Sequence, residues 1–143
     1  MSDLRTRALA YLSRREYSRA ELRRTLSSES AHTARLNTVL DTLEREGFLS
    51  DARFAEHLAM QRAARFGMRR IIAELKQHAV NGAQLATLSA QLRNTELARA
   101  RAVWEKKFGS APKTPIERAK HMRFLAMRGF DTDIITQLFK SDL

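Results

Sequence analysis

The sequence predicts an all-α fold of three tandem three-helix repeats, arranged as an elongated module whose curvature the sequence leaves open. Apolar residues recur at helical spacing along almost the whole chain of 143 residues. Glycine occurs 5 times and proline 2 times, which favours long helices joined by short connections. Aromatic residues make up only 7% of the chain, and this low share disfavours a sheet.

The first repeat, residues 1–50, contains three predicted helices. A stripe of leucine, alanine and tyrosine near the N-terminus predicts the first helix. Ser18 and Glu21 form the pattern S-x-x-E, in which each side chain is expected to bond the other residue's backbone N–H where the second helix begins. The polar link SSESAHT, residues 27–33, leads to the third helix. That helix is expected to end at Gly47, since glycine readily adopts the left-handed conformation found at helix C-termini.

The second repeat, residues 51–94, begins after Ser50, a residue suited to cap a helix. Gly67 is expected to separate its first helix from its second. The apolar pattern of its third helix is expected to end at Asn94, and a new helix is expected to begin there.

The third repeat, residues 95–143, has a longer first connection, the loop GSAPKTP. Thr114 and Glu117 form a second pattern of this kind, T-x-x-E, with a proline at the first helical position, where its missing N–H is harmless. Gly129 is expected to end this helix, and Asp131 is expected to cap the last one.

Internal alignment supports the repeats. YSRAELRRTL (17–26) aligns with FGMRRIIAEL (66–75) at an offset of 49, which pairs Tyr17 with Phe66. LKQHAVN aligns with LAMRGFD at an offset of 50. Periods of this size are typical of tandem arrays whose neighbouring units share interfaces. Three units of helices about 20 Å long would form a body of roughly 60 Å.

The chain is strongly basic, with 26 Lys and Arg against 16 Asp and Glu, a net charge of +10 and a pI near 11. Such a balance favours a polyanionic partner, which could be nucleic acid, an acidic protein face or an anionic membrane. The excess is +2 in the first repeat and +4 in each of the others.

Basic residues gather near the junction of the first two helices of each repeat. One such cluster alone is typical of a solvated helix face, but its recurrence indicates a surface that faces a polyanion. Arginine dominates the first two repeats, and its planar guanidinium group can bind phosphate or carboxylate through two hydrogen bonds. The third repeat also offers Lys106, Lys107 and Arg128. The predicted surface consists of Arg14, Arg15, Arg19, Arg23, Arg24, Arg62, Arg65, Arg69, Arg70, Lys76, Arg118, Lys120 and Arg123.

No pattern typical of catalysis or metal binding occurs. The absence of cysteine excludes disulfides, thiolate zinc sites and cysteine nucleophiles. The four histidines form no i, i+4 pair, and the sequence lacks a Walker loop, G-x-G-x-x-G and G-x-S-x-G. We therefore expect a protein that is not an enzyme and binds no cofactor or metal. Trp104 and Phe108 lie on an apolar stripe and are expected to pack in the core.

The sequence contains no apolar run near the ~18–20 residues that a bilayer span needs. Its N-terminus, MSDLRTRALAYLSRREY, alternates charged and apolar residues and lacks the apolar segment of a secretion signal. We expect a cytoplasmic protein that does not associate with a membrane.

Four stretches of the chain resemble the RecX family of RecA regulators. They are REYSRAELRRTL (15–26), LEREGFLSDARFAEHLAMQRA (43–63), FGMRRIIAELKQHAV (66–80) and RFLAMRGFDTDII (123–135), and together with their spacing they extend the match over nearly the whole chain. The family usually has Asp-Asp where this chain has Ser50 and Asp51, and either pair suits a helix cap.

The resemblance implies three tandem three-helix repeats, in agreement with the internal alignment. It also implies a non-enzymatic regulator that binds RecA filaments on DNA, lies in the helical groove of the filament, and inhibits ATP hydrolysis, strand exchange and co-protease activity. Such a protein would act in recombination, DNA repair and the SOS response. The implied partners are the RecA filament and single- or double-stranded DNA, bound weakly and largely independently of sequence, by a monomer.

Two other functions remain open at the level of sequence. A direct DNA-binding protein with helix-turn-helix-like units would read bases through polar residues on its third helices. The candidates are Asn37, Thr38, Gln84, Thr87, Gln91, Thr136 and Gln137. A purely structural helical scaffold would bind neither DNA nor RecA.

Overall fold

The computed structural model describes residues 3–28 and 33–141, and every regular element within these ranges is an α-helix. The predicted all-α fold is therefore confirmed, while residues 29–32 of the predicted polar link lie outside the described ranges. No described helix combines the length and apolar character that crossing a membrane requires. The helices are α1 (Leu4–Leu12), α2 (Arg19–Ser27), α3 (Thr33–Arg45), α4 (Asp51–Ala63), α5 (Met68–Gln77), α6 (Gly82–Lys107), α7 (Pro115–Met127) and α8 (Thr132–Ser141).

The described chain divides into two compact units. The first unit contains α1, α2, α3 and the start of α4, together with His78–Val80. Its core forms because α1, α2 and α3 each turn an apolar stripe inward. The buried residues of this core are Leu4, Ala8, Tyr17, Leu22, Leu26, Leu36, Leu40, Leu43 and Leu49.

The second unit contains the end of α4, then α5, and the chain from Asn81 onward. One cluster of its buried side chains lies between α6, α7 and α8, and the predicted core position of Trp104 is confirmed. Phe108 is half-buried and packs against the same cluster. The buried members are Ala100, Val103, Trp104, Leu125, Phe130, Ile135, Leu138 and Phe139.

The helix N-termini use the predicted serine and threonine caps. The hydroxyl of Ser18 accepts the N–H of Glu21 at 3.0 Å, and Thr114 accepts the N–H of Glu117 at 3.1 Å. Ser50 likewise accepts the N–H of Arg53 at 3.1 Å. At the helix ends, Gly47 and Gly129 both have positive φ angles, of 84° and 95°, as expected for left-handed C-terminal residues.

In both S/T-x-x-E patterns, the bond predicted from the glutamate carboxylate back to the N–H of the capping residue is replaced by another contact. The carboxylate of Glu21 binds the guanidinium of Arg15, and that of Glu117 accepts the backbone N–H of Lys113 at 2.8 Å. Each glutamate thus finds a donor outside the helix it was expected to cap, because a nearby cation or loop N–H competes for the same oxygens.

The predicted helix boundary at Asn94 is wrong, because α6 runs without a break from Gly82 to Lys107. Eight helices are therefore described instead of the nine expected. Asn94 lies exposed in the middle of α6, and the buried face of the helix continues past it. That face is made by Leu88, Leu92, Glu96, Ala100, Val103 and Trp104. The charged Glu96 occupies a position of the apolar stripe, which is why the sequence pattern looked interrupted.

Two inter-helix turns of the second unit are joined backbone to backbone. Gly67, between α4 and α5, donates its N–H to the carbonyl of Arg128 at 2.8 Å, and Arg69 donates to Gly129 at 3.1 Å. A Cβ atom on Gly67 would lie 2.3 Å from the backbone nitrogen of Phe130. Only glycine permits this approach, so the α4–α5 and α7–α8 turns hold each other in place.

Candidate polyanion-binding surface

The predicted basic residues divide into those that bind carboxylates of the protein itself and those that do not. In the first unit, Arg15 lies after α1 and donates to both carboxylate oxygens of Glu21, at 2.9 and 3.1 Å. Its guanidinium carbon also lies 3.7 Å from the ring centroid of Tyr17. The hydrogen bonds with Glu21 raise the pKa of Arg15. This arginine is therefore neutralised locally.

Arg19 is also engaged within the first unit. Burial acts to lower the pKa of Arg19, but hydrogen bonds with Glu44 and Asp41 outweigh it and raise that pKa above its ordinary value. The contact with Asp41 measures 2.7 Å. Arg23 donates through Nε to the side-chain oxygen of Asn37 at 3.1 Å. The remaining predicted members here, Arg14 and Arg24, are exposed.

In the second unit, Arg62 near the end of α4 forms a two-bond ion pair with Glu74 of α5. Its Nε and Nη2 atoms each donate to a different carboxylate oxygen at 3.0 Å, and these bonds raise the pKa of Arg62. Arg62 thus joins α4 to α5 and contributes little free positive charge.

Three other guanidinium groups of the second unit surround one aromatic ring. The guanidinium carbons of Arg70, Arg65 and Arg128 lie 4.1, 5.2 and 5.5 Å from the ring centroid of Phe66. We call Phe66 and these three arginines the Phe66 cluster. Within the described ranges, no ion pair joins any of its arginines to a carboxylate. The cluster is thus a concentration of positive charge that is not paired with any described carboxylate.

A second aromatic ring extends the Phe66 cluster. The guanidinium of Arg128 lies 5.0 Å from the ring of Phe124, and the ammonium of Lys107 lies 5.5 Å from the same ring. Neither cation belongs to the surface predicted from sequence. The sequence shows both cations in the third repeat but does not predict that they lie beside the same ring, because Arg128 follows α7 and Lys107 ends α6.

The geometry of the Phe66 cluster is fixed by backbone contacts. Arg128 donates from Nη1 to the carbonyl oxygen of Arg65 at 3.1 Å. The carbonyl of Phe66 accepts the guanidinium of Arg99 at 2.8 Å, and burial lowers the pKa of that arginine. Arg99 also binds the carbonyl of Ala63 at 3.0 Å. The segment that carries Arg65 and Phe66 is therefore held at the end of α4.

Glu96 fixes the starts of the two helices next to the cluster. Its side chain is 1% exposed, and one carboxylate oxygen accepts the backbone N–H groups of Met68 and Asp131 at 3.2 and 3.3 Å. A carboxylate stabilises a helix N-terminus both by bonding free N–H groups and by complementing the helix dipole. This role was missed in the sequence because Glu96 lies far from both helices along the chain.

The other predicted basic residues of the second unit are spread along α5 and α7. Arg69, Lys76, Lys120 and Arg123 are exposed. Arg118 lies 5.7 Å from the ring of Phe139, at the start of α7. It is ten residues from Arg128, or about 15 Å along a helix. The structure therefore gathers only part of the predicted surface into one site.

The described residues contain no group of three or more His, Asp or Glu side chains placed to hold a metal ion. His121 is buried and makes a different contact. It accepts the indole N–H of Trp104 on Nδ1 at 3.0 Å and stacks on Phe108 with ring centroids 3.7 Å apart. Burial lowers the pKa of His121, the charge of Glu117 partly opposes this lowering, and the charge of Lys120 adds to it.

Comparisons with known proteins place this architecture in a family. Family models match residues 50–86 as the second three-helix domain of RecX and residues 94–139 as the third. Proteins named Regulatory protein RecX from Ralstonia nicotianae and Herminiimonas arsenicoxydans are 45% and 50% identical to this chain. The alignments cover 96% and 90% of this chain and 87% and 85% of the relatives. The crystal structure of RecX from Lactobacillus salivarius shares the fold, with a TM-score of 0.83 at 18% identity over 96% of this chain and 93% of that chain.

Proposed function

The chain belongs to the RecX family of regulatory proteins, and we propose that it regulates RecA by binding RecA nucleoprotein filaments in their helical groove. Bound there, it inhibits ATP hydrolysis, strand exchange and co-protease activity. It does so as a cytoplasmic, non-enzymatic monomer built from repeats at 1–50, 51–94 and 95–143.

The observation that carries this proposal is the Phe66 cluster. Three guanidinium groups around one ring repel one another, and no carboxylate of the described residues forms an ion pair with them. Such an arrangement is stabilised when an external anion binds. A filament of protein on DNA offers a dense series of anions, and a net charge of +10 favours encounter with it.

Inhibition follows if binding distinguishes the states of the ATPase cycle. A ligand shifts an equilibrium only by the difference between its affinities for the two states. A protein that contacts adjacent subunits or the DNA between them favours the filament geometry that fits its own rigid surface. Because the arginines of the Phe66 cluster are held by the α4–α5 and α7–α8 turns, they resist adjustment to the other geometry.

The proposal is tested by measuring RecA ATPase activity on single-stranded DNA at increasing concentrations of this protein. We expect the variant with Arg69→Glu and Arg70→Glu to need at least about tenfold more protein for half-inhibition, a difference of about 1.4 kcal/mol in binding. Both side chains are exposed, so the fold should persist. Far-UV circular dichroism checks this.

A matched control changes the same charge elsewhere. Arg35→Glu with Arg93→Glu alters two exposed arginines outside the proposed surface. We expect this variant to inhibit like the unaltered protein. Equal inhibition by all three proteins would rule out the Arg69–Arg70 surface. Inhibition by none of them, with DNA binding that depends on base sequence, would support the direct DNA-binding alternative.

A further inference from the structure

We infer that the Phe66 cluster binds the phosphodiester backbone of DNA, whereas the corresponding place in the first repeat is closed by the protein's own carboxylates. This inference rests on the proposed function, which leaves open which anion of the filament meets the cluster. We infer that this anion is a phosphate of the DNA and that the second repeat makes the contact.

The two places correspond through the internal repeat. The offset of 49 pairs Tyr17 with Phe66, and each aromatic residue lies just before a helix, α2 or α5. An arginine covers the ring in both. The guanidinium carbon of Arg15 lies 3.7 Å from the Tyr17 centroid, and that of Arg70 lies 4.1 Å from the Phe66 centroid. Each ring thus has one arginine over it, although Arg15 and Arg70 do not occupy corresponding positions in the repeat.

The charges beside the two rings are opposite. At the same offset, Glu16 corresponds to Arg65 and Glu21 corresponds to Arg70. In the first repeat, therefore, two carboxylates occupy the positions that two guanidinium groups occupy in the second.

Those carboxylates neutralise the first site. Glu21 holds Arg15 through two hydrogen bonds, and Glu16 forms an ion pair with Arg53. The arginines of this site already have anionic partners, and an incoming phosphate would have to displace them. In the second repeat the corresponding positions add cations, and Arg128 adds a third beside the same ring.

Phosphate fits the Phe66 cluster better than protein carboxylates do. Guanidinium groups bind phosphate oxygens through two parallel hydrogen bonds. All three guanidinium carbons lie within 5.5 Å of one centroid. DNA places one charge on each strand about every 3.4 Å of helix axis, so several phosphates can approach such a cluster together. An acidic protein would have to hold several mutually repelling carboxylates equally close.

The test compares two double variants that remove equal charge, one from the Phe66 cluster and one from the neutralised site of the first repeat. Arg65→Gln with Arg70→Gln alters the Phe66 cluster, whereas Arg15→Gln with Arg53→Gln alters the neutralised site. Binding to fluorescein-labelled single-stranded and duplex oligonucleotides is measured by anisotropy without RecA, from 50 to 200 mM salt. Circular dichroism confirms that both variants are folded.

We expect the Phe66-cluster variant to bind at least one of these DNAs about tenfold or more weakly, with a salt slope reduced by about two, since each lost phosphate contact removes about one unit. The control variant should change affinity less than about threefold, although it carries the same net charge. Equal losses in the two variants would mean that only net charge matters, and would overturn the inference.

The converse variant removes the two carboxylates that neutralise the site in the first repeat. Glu16→Gln with Glu21→Gln releases Arg15 and Arg53 from their carboxylate partners. We expect tighter DNA binding and a steeper salt slope than Gln substitution of Glu56 and Glu105, two exposed glutamates that form no ion pair within the described ranges. The same DNA affinity in these two variants would contradict the proposal that Glu16 and Glu21 prevent DNA from binding at the first site.

RecA ATPase inhibition, measured in parallel, separates this inference from the proposed function. If the Phe66-cluster variant loses inhibition but binds DNA normally, the cluster contacts protein carboxylates; the inference then fails and the proposed function stands. If the unaltered protein does not inhibit RecA, but its DNA binding depends on the cluster, the proposed function fails and the inference stands.

Discussion

Gly129 lies so close to Arg70 that a Cβ atom on the glycine would be 2.5 Å from the Cβ atom of Arg70. The contact sets the distance between the α7–α8 turn and the first turn of α5. It therefore also sets where the Arg70 guanidinium lies over Phe66. Packing in the second unit and the position of its charges depend on the same glycine.

Gly129→Ala should lower the free energy of unfolding by more than about 3 kcal/mol, because a positive φ angle and a backbone collision act together. Urea unfolding followed by circular dichroism measures the loss. Gly47→Ala is the matched control, since Gly47 also has a positive φ angle but nothing within 4 Å of an added Cβ. It should cost only about 1 kcal/mol. Equal losses of unfolding free energy in the two variants would mean that the α7–α8 turn can move away from α5 at little cost.

Glu96→Leu should destabilise the protein by roughly 2–5 kcal/mol, because the buried N–H of Met68 and the part-buried N–H of Asp131 lose their shared acceptor. Glu96→Gln keeps a side-chain oxygen at the same place and should cost much less. The midpoints and slopes of urea unfolding give both values. The role assigned to the carboxylate would be wrong if the two variants were equally stable.

Stability should decrease on the acid side of neutrality because of His121. Its folded-state pKa is lowered by burial, so the unfolded chain binds a proton more readily. The stabilising effect is complete above the unfolded pKa of about 6.5 and is lost as the pH falls through the folded pKa. Thermal unfolding between pH 8 and 5 measures this dependence.

Trp104 provides an internal reporter for His121, since it is the single tryptophan of the chain and donates to that ring. Its fluorescence should change over the same pH window as the stability. In a His121→Phe variant both changes should be greatly reduced, whereas substituting the exposed His57 by Phe should leave them intact. A pH profile that His121→Phe does not alter would assign the dependence to other groups.

Ala79→Gly should stabilise the protein by about 0.5–1 kcal/mol. Ala79 has a φ angle of 63°, a left-handed conformation that costs alanine energy and glycine little. The same substitution at the exposed Ala73 inside α5 should instead destabilise by about 1 kcal/mol. Opposite shifts of the two thermal midpoints are the expected result, and two decreases would argue against strain at Ala79.

Much of the helical pattern could be predicted because local chemistry determines it. Ser18, Ser50 and Thr114 cap helices through bonds to residues three positions away, and a sequence shows that spacing directly. The continuity of α6 could not be predicted, because Glu96 interrupts the apolar stripe and its two partners are distant in sequence.

The candidate site was predictable only in part for the same reason. Sequence identifies Arg65 and Arg70 as basic, but other arginines such as Arg15 and Arg62 carry the same charge and are bound by glutamates. Which arginine finds a carboxylate depends on how helices pack. Arg128 joins the cluster through turn contacts that no helical periodicity reveals.

The continuity of α6 affects how cooperatively the second unit unfolds. Its 26 residues run through the interval between the segments that match the second and third RecX domains, so no hinge separates them there. α5 and α8 both begin on Glu96, near the middle of this rod. We therefore expect α5, α6 and α8 to unfold together in a single cooperative transition, and the second and third repeats not to unfold independently.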